Sequence, residues 1–332
     1  MRMIALTAVL SMLLPTGAAA QSHLIVVSGL GGQPGYSQTL HEWATGLSAA
    51  AQERWGVPEA NVTYLAEKVE RDPTRIDARS TWENVQAAVR ETAARAGPDD
   101  VIFIVLMGHG TVGVAGAKLN LPGPDPTAAD FDALLDELPT RKVALVNTAS
   151  ASGEFIPALA SENRVVITAT RSGRERNQTI FARYFVEAYA GDGADVDKDG
   201  RVSALEAFNY ARREVERLYE SENRLLTEHA LLEDDGDGEG SREPGPDAGD
   251  GRLASRLFLA GAPAAAAAGA DADPRLAELY NERRALEEAV ADLRARKDEM
   301  DPAAYEAELE RLLLELAMKT REIRQREEEG GG

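Results

Sequence analysis

The sequence contains no cysteine, and aromatic residues make up only 5% of its 332 residues. The lack of cysteine excludes disulfide bonds, thiolate metal sites and attachment of a lipid through a cysteine. Basic residues are outnumbered, because 36 Lys and Arg stand against 56 Asp and Glu and give a net charge of −20. Nucleic acids bind proteins largely through Lys and Arg, so this charge argues against a nucleic-acid partner and favours cations.

The sequence also has no apolar run long enough for a membrane span, which requires about 20 residues. The apolar run at residues 3–14 follows Arg2 and precedes the small residues Ala18, Ala19 and Ala20. A basic residue, a short apolar run and an A-x-A site are typical of a secretory signal peptide. We therefore expect residues 1–20 to be a signal peptide, with export to the periplasm or the extracellular space. The alternative is a buried first helix.

Short apolar runs alternate with amphipathic stretches after residue 20. The runs at 101–107, 142–146 and 164–169 are typical of parallel strands covered on both faces, and further strands are predicted at 23–27, 62–65 and 252–259. Helical spacing occurs at 38–54, 81–95, 180–189 and 204–218. This rhythm predicts an α/β fold, a three-layer α/β/α sandwich with a mostly parallel sheet. Functional sites in such sheets lie beyond the carboxyl ends of the strands.

The chain divides into a domain at 21–262, an Ala-, Gly- and Pro-rich linker at 263–274 and a helical hairpin at 275–328. Apolar residues in the hairpin recur in steps of three and four, and Asp301 and Pro302 break the pattern. Arg283 and Lys297 fall on the apolar seam, where a charged residue can select one partner register. Two interpretations remain open: the helices pack on each other, or they form an oligomer or bind a partner.

Two of the predicted central strands end in loops with reactive residue types. The first strand ends in Met-Gly-His-Gly at residues 107–110, and the second leads into Ala-Ser-Ala-Ser-Gly at residues 149–153. Because neighbouring parallel strands end at the same edge of a sheet, we expect His109 and Ser150 to lie together there.

These two motifs resemble those of legumain-like and caspase-like cysteine proteases, in which a strand ending in His-Gly is followed by one ending in Ala-Cys-x-Ser-Gly. Ser150 stands in the place of the nucleophilic cysteine. The resemblance extends over about residues 22–261, and residues 167–172 resemble the edge of the family's substrate pocket. The resemblance implies a caspase-like sandwich. It also implies an Asn that supports the histidine, but residues 29–32 read Gly-Leu-Gly-Gly at that place.

The replacement of cysteine by serine changes the chemistry of this site. A thiol with a pKa of about 8.5 is partly ionised at neutral pH, whereas a serine hydroxyl requires a base that a third group orients. No carboxylate lies in a motif position to orient His109, since Asp99 and Asp100 are at the other end of its strand. Three interpretations remain: an inactive pseudoprotease, a retained groove for a peptide or protein ligand, and an active hydrolase with Ser150 as nucleophile and His109 as base.

Residues 195–206 match the EF-hand calcium loop, in which oxygen atoms surround the ion. The carboxylates at the first, third and fifth positions come from Asp195, Asp197 and Asp199, and Gly200 permits the turn. The remaining expected ligands are the backbone carbonyl of Arg201, Ser203 through a water molecule, and both oxygens of Glu206. Predicted helices on both sides agree with this assignment, and we expect the protein to bind Ca²⁺.

A second acidic stretch lies at residues 233–251, where Asp and Glu alternate with Gly. Its composition is typical of a mobile, solvated loop. Binding of a further cation is the alternative interpretation, although no Glu stands at the twelfth position of a calcium loop. The whole chain is also open to an interpretation as a calcium-stabilised adaptor that acts through the hairpin at 275–328.

Overall fold

The computed structural model describes residues 20–114, 116–260, 274–297 and 300–330. The predicted signal peptide up to residue 19 and the predicted linker from residue 263 to 273 lie outside these ranges. Within the described residues, no helix is both long enough and apolar enough to cross a membrane.

A seven-stranded sheet forms the centre of the protein, with the strand order β3-β2-β1-β4-β7-β8-β9, and β5 and β6 form a separate hairpin. All neighbours in the large sheet are parallel except β8 and β9. The predicted α/β fold with a mostly parallel sheet is therefore confirmed. In chain order the strands are β1 (Ser22–Ser28), β2 (Val62–Ala66), β3 (Ala78–Arg79), β4 (Val101–Met107), β5 (Gly110–Gly113), β6 (Gly116–Leu119), β7 (Lys142–Asn147), β8 (Arg164–Thr168) and β9 (Leu231–Glu233).

Helices cover both faces of the sheet. In chain order they are α1 (Pro34–Ala49), α2 (Trp82–Arg95), α3 (Ala128–Leu135), α4 (Ile156–Leu159), α5 (Phe181–Ala190), α6 (Ala204–Ser221), α7 (Pro274–Ala295) and α8 (Pro302–Gly330). Along β1, Leu24 and Val26 face the core under α1, α5 and α6, and Ile25 and Val27 face the core under α2, α3 and α4. Burial on both faces explains why the central strands are continuous apolar runs.

The predicted strand at 252–259 is wrong. A 3₁₀ turn at Ala254–Arg256 occupies part of this stretch, and the last strand of the sheet is instead β9, which lies antiparallel to β8 at the edge. The carboxylate of Asp234 accepts hydrogen bonds from the N–H groups of Gly251 at 2.8 Å and Ala254 at 2.7 Å. These contacts curl the chain into a turn where an extended strand was expected.

The helical hairpin has the predicted form, with α7 and α8 separated by a break just before Pro302. Its seam is apolar, and the residues that pack there are Leu286, Ala289, Val290, Leu293, Met300, Tyr305, Leu309 and Leu312. Arg283, which the sequence places on the seam, donates a hydrogen bond from its guanidinium group to the backbone oxygen of Asp199. This contact directs Arg283 toward the sandwich.

Candidate functional site

The two reactive loops meet at one edge of the sheet because β4 and β7 are neighbours. Leu106 in β4 pairs with Asn147 in β7, and His109 and Ser150 each follow shortly after the end of their strand. The structure therefore places the two residues beyond the carboxyl ends of adjacent strands.

The Ser150 side chain is held by the backbone of Gly110. Its Oγ accepts a hydrogen bond from the Gly110 N–H at 3.2 Å and lies 3.4 Å from the Gly110 carbonyl oxygen, to which it donates. Ser150 is only 2% exposed. A Cβ atom on Gly110 would lie 2.3 Å from the Ser150 carbonyl oxygen, so only glycine fits at this position. Ser150 is thus buried, and backbone groups satisfy its hydroxyl.

His109 is half-buried and contacts an aromatic ring. Its imidazole lies 5.0 Å from the Tyr36 ring, centroid to centroid, with 48° between the planes. Among the described residues, no hydrogen bond joins the His109 ring to Ser150 or to a carboxylate. Burial raises the pKa of Tyr36 well above its usual value, so this neighbour is a neutral phenol at ordinary pH. The structure brings His109 and Ser150 to one edge without coupling them.

Ser152, the second serine of the motif, has a structural role. Its Oγ accepts hydrogen bonds from the N–H groups of Ala169 at 3.1 Å and Thr170 at 3.2 Å, and it also lies 3.1 Å from the Thr170 hydroxyl. The side chain therefore ties the loop after β7 to the end of β8. This network requires residues that are far apart in the sequence to meet.

The loop at 170–176 lies beside the motif and contributes Glu175, which the sequence does not single out. The backbone oxygen of Glu175 accepts a hydrogen bond from the Ala151 N–H at 2.8 Å, and its carboxylate pairs with the His229 ring and with Arg171. Ala151 has φ 57°, a left-handed conformation that is uncommon outside glycine. Because its N–H is occupied by Glu175, Ala151 offers no free donor next to Ser150.

A buried carboxylate, Glu228, lies behind this edge. It accepts hydrogen bonds from the N–H groups of Ile180 and Phe181, at the start of α5, and from the Tyr219 hydroxyl. Burial raises the pKa of Glu228 to about 7, although the hydrogen bonds favour its charged form. Sequence reasoning missed this residue, because an isolated Glu outside any motif carries no signal of burial.

The three aspartates of the predicted calcium loop lie together. Asp195, Asp197 and Asp199 each offer one carboxylate oxygen, and these atoms are all within 4.8 Å of one another. The Asp195 carboxylate also accepts hydrogen bonds from the N–H groups of Asp199 at 3.2 Å and Gly200 at 3.1 Å. Gly200 has φ 84°, which its lack of a side chain permits. The loop thus wraps around its own carboxylates.

Glu206 reaches back over this loop. Its Oε1 accepts a hydrogen bond from the Val196 N–H at 2.9 Å, between the first and third ligand positions. Partial desolvation of the carboxyl group, together with the charges of Asp199 and Glu206, raises the pKa of the otherwise exposed Asp197 to about 6. A divalent cation would offset this repulsion, and its oxygen ligands are the type that calcium prefers. The residues present therefore fit a calcium ion.

The helix predicted before the loop is present, since α5 ends at Ala190 with four residues between it and Asp195. Two side chains of the loop also make contacts that the sequence does not indicate. The Ser203 hydroxyl accepts from the Glu206 N–H and donates to the Glu206 carboxylate, so it caps the start of α6. The side chain of Arg201 pairs with Asp199 at 2.7 Å, while its backbone carbonyl is the expected ligand.

The helical hairpin contacts the loop at 195–206. The Arg283 guanidinium in α7 donates to the Asp199 carbonyl oxygen at 2.7 Å, and Glu287, one turn later, pairs with Arg201 at 2.7 Å. Both loop residues lie inside the 195–206 segment. The loop thus contacts the hairpin directly through charged hydrogen bonds, which are stronger than neutral ones.

The sequence model of the Peptidase C13 family, which is the legumain family, matches residues 80–224. This stretch contains His109, Ser150 and the loop at 195–206. Comparison with curated proteins found no match. Similar solved structures include a protein of Geobacter sulfurreducens, with 12% identity and a TM-score of 0.41 over 64% of this chain and 92% of that chain. Caspase-1 from Spodoptera frugiperda has 12% identity and a TM-score of 0.35 over 59% of this chain and 78% of that chain.

The fold defines the class of this protein as an α/β sandwich with a mostly parallel sheet. The family match supports a legumain-like protein over residues 80–224, in agreement with the two strand-end motifs.

Proposed function

We propose that this chain is an exported, catalytically inactive relative of the legumain-like peptidases, which binds calcium and acts as a peptide- or protein-binding module. The observation that carries the inactivity is the engagement of the Ser150 hydroxyl by the backbone of Gly110. The family match extends over both motif positions. The resemblance of residues 149–153 to Ala-Cys-x-Ser-Gly is what places Ser150 at the position of the nucleophile.

The chemistry of serine supports this proposal. A serine nucleophile needs a base within hydrogen-bonding reach, and that base needs a third group to hold it in the correct tautomer. The ring of His109 instead contacts Tyr36, and the Ser150 hydroxyl already has a donor and an acceptor in Gly110. Both requirements for an activated serine therefore go unmet in this arrangement.

A binding role is consistent with the loops that remain at this edge. The hairpin of β5 and β6 starts directly after His109, and its Val112 lies so close to Gly173 that a Cβ on Gly173 would be 2.6 Å from it. Loops at the carboxyl edge of such a sheet can keep a ligand surface after the chemistry is lost, because function depends on the site and the fold is retained.

A serine-directed fluorophosphonate tests the inactivity. We expect the purified mature chain to form no adduct at Ser150, as judged by intact mass and peptide mapping, because the hydroxyl is buried and lacks a base. Ser150→Ala serves as the control for labelling elsewhere. A stoichiometric adduct that disappears in both Ser150→Ala and His109→Ala would instead favour the alternative, an active hydrolase with Ser150 as nucleophile and His109 as base.

The second candidate function is a calcium-stabilised adaptor that acts through its helical hairpin. Two observations favour it: the hairpin contacts the calcium loop through Arg283 and Glu287, and α8 exposes apolar side chains. Leu314 is 58% exposed and Met318 is 71% exposed, one helical turn apart. An exposed apolar stripe of this kind suits association with a second copy or another protein.

Removal of the Arg283 side chain tests the docking of the hairpin. We expect Arg283→Ala to raise hydrogen exchange in α7 about tenfold, since a charged hydrogen bond contributes ~1.5–3 kcal/mol and 1.4 kcal/mol corresponds to a factor of ten. Arg311→Ala is the matched control, because Arg311 pairs with Glu308 and Glu315 within α8. Equal exchange in α7 of the two variants would show that Arg283 does not hold the hairpin.

A further inference from the structure

The acidic stretch at 233–251 is well defined where a mobile loop was expected. Leu232 and Ser241 pair as a short antiparallel bridge that closes the first part of the loop. The Asp250 carboxylate accepts a hydrogen bond from the Asp234 N–H at 3.0 Å, which fixes the returning segment. Asp234 and Asp250 are only 4% and 7% exposed. The composition is that of a solvated loop, but the carboxylates of Glu233, Asp234 and Asp250 are buried.

Three of its side chains converge as a set of oxygen ligands. Glu233, Asp235 and Asp237 each offer one carboxylate oxygen, and these atoms lie within 4.8 Å of one another. Oxygens bound to one calcium ion at about 2.4 Å cannot be farther apart than ~4.8 Å, so this spacing fits a single ion. The spacing of Glu233, Asp235, Asp237 and Gly238 also repeats that of the first, third, fifth and sixth positions of the calcium loop.

Glu233 provides a second, independent observation that favours a cation at this cluster. The residue is 0% exposed, and its Oε2 is buried without a hydrogen-bond partner. Its other oxygen accepts from the Gly236 N–H at 2.6 Å. Among the described residues, no Lys or Arg forms an ion pair with Glu233, Asp235 or Asp237. A buried carboxylate oxygen without a partner is costly, and a bound cation is one of the few groups that satisfies it.

The negative charge around the cluster also favours a bound cation. The carboxylates of Asp250 and Asp235 are both close enough to Glu233 to repel its negative charge. The segment that carries Asp250 lies directly against the cluster, since a Cβ on Gly249 would be 2.9 Å from Asp235 Oδ2. Negative groups therefore approach the cluster from both ends of the loop.

We propose that Glu233, Asp235 and Asp237 form a second calcium site, separate from the loop at 195–206. All three ligands are hard oxygen donors, and the irregular loop allows the flexible, high coordination number of calcium. The bound ion would fix the loop against β9, because Glu233 is the last residue of that strand.

The number of calcium ions bound per chain tests this proposal. Equilibrium dialysis of the mature chain against Ca²⁺, with magnesium present in excess, is expected to give two ions for the wild type. Glu233→Gln and Asp237→Asn should each remove one ion, and circular dichroism confirms that the variants are folded. Asp237 is exposed, so its variant remains informative if Glu233→Gln fails to fold.

Two further variants distinguish the second site from the rest of the acidic loop and from the loop at 195–206. Glu239→Gln alters an exposed carboxylate of the same loop outside the cluster, and it should retain full binding. Asp195→Asn alters only the loop at 195–206. Loss of one calcium ion in this variant therefore leaves the test of the second site unchanged. The proposal is overturned if Glu233→Gln and Asp237→Asn bind as many ions as the wild type.

Discussion

Calcium is expected to raise the melting temperature of the mature chain by about 5–10 °C through the loop at 195–206, at an ion concentration about 100 times Kd. Binding at that ratio stabilises the folded state by ~2.7 kcal/mol, and 1 kcal/mol shifts the melting temperature of a domain of 150–250 residues by ~2–4 °C. The measurement is thermal unfolding with calcium and with chelator, in an Asp237→Asn background that is expected to disable the proposed second site.

Asp195→Asn should abolish this shift, because it removes one of the three clustered charges and preserves the shape of the loop. Its matched control is Asp192→Asn, three residues earlier, where the exposed carboxylate pairs with Arg54 outside the ligand set. The control should retain the full shift. An undiminished rise in the Asp195→Asn chain would contradict the assignment of the loop as a calcium site.

Gly110→Ala is expected to destabilise the protein by ~1–3 kcal/mol, the usual range for forcing extra atoms into a packed site. The added Cβ would lie 2.3 Å from the Ser150 carbonyl oxygen and 3.2 Å from that of Lys118. Both contacts are to backbone atoms, which cannot rotate away. Urea unfolding measures the loss as a lower midpoint at constant slope.

Gly113→Ala is a matched control in the same hairpin. A Cβ at Gly113 would meet nothing within 4 Å, so its effect should stay within ~0.5 kcal/mol. If the two variants unfold at the same urea concentration, Gly110 and Ser150 are not in the close contact described here, and the argument that the backbone holds the Ser150 hydroxyl fails.

The sheet could be predicted from the sequence because its strands carry a strong local signal. The runs at 101–107 and 142–146 lie within one residue of β4 and β7, since strands buried on both faces must be apolar throughout. The placement of His109 and Ser150 at one edge of the sheet followed from the adjacency of these two strands. Their partners could not be predicted, because Tyr36 in α1 meets His109, and Gly110 in β5 meets Ser150, only through tertiary packing.

The acidic loop shows where composition misleads. Glu233 and Asp234 belong to a run that composition assigns to solvent, yet they are 0% and 4% exposed. Asp234 is buried because it caps the turn at 251–254, and that contact also prevents the predicted strand at 252–259. Hydrogen bonds between residues 17 and 20 positions apart leave no periodic pattern in the sequence. Neither the short strand β9 nor the turn could therefore be recognised from the sequence.

Turnover of a mixed peptide library is the most direct test of the proposed inactivity. The mature chain is assayed with calcium and with chelator, beside Ser150→Ala and His109→Ala. The account predicts no cleavage by the wild type above the level of the two variants in either condition. Cleavage by the wild type that both substitutions abolish would contradict it and would show that Ser150 and His109 form a working catalytic pair.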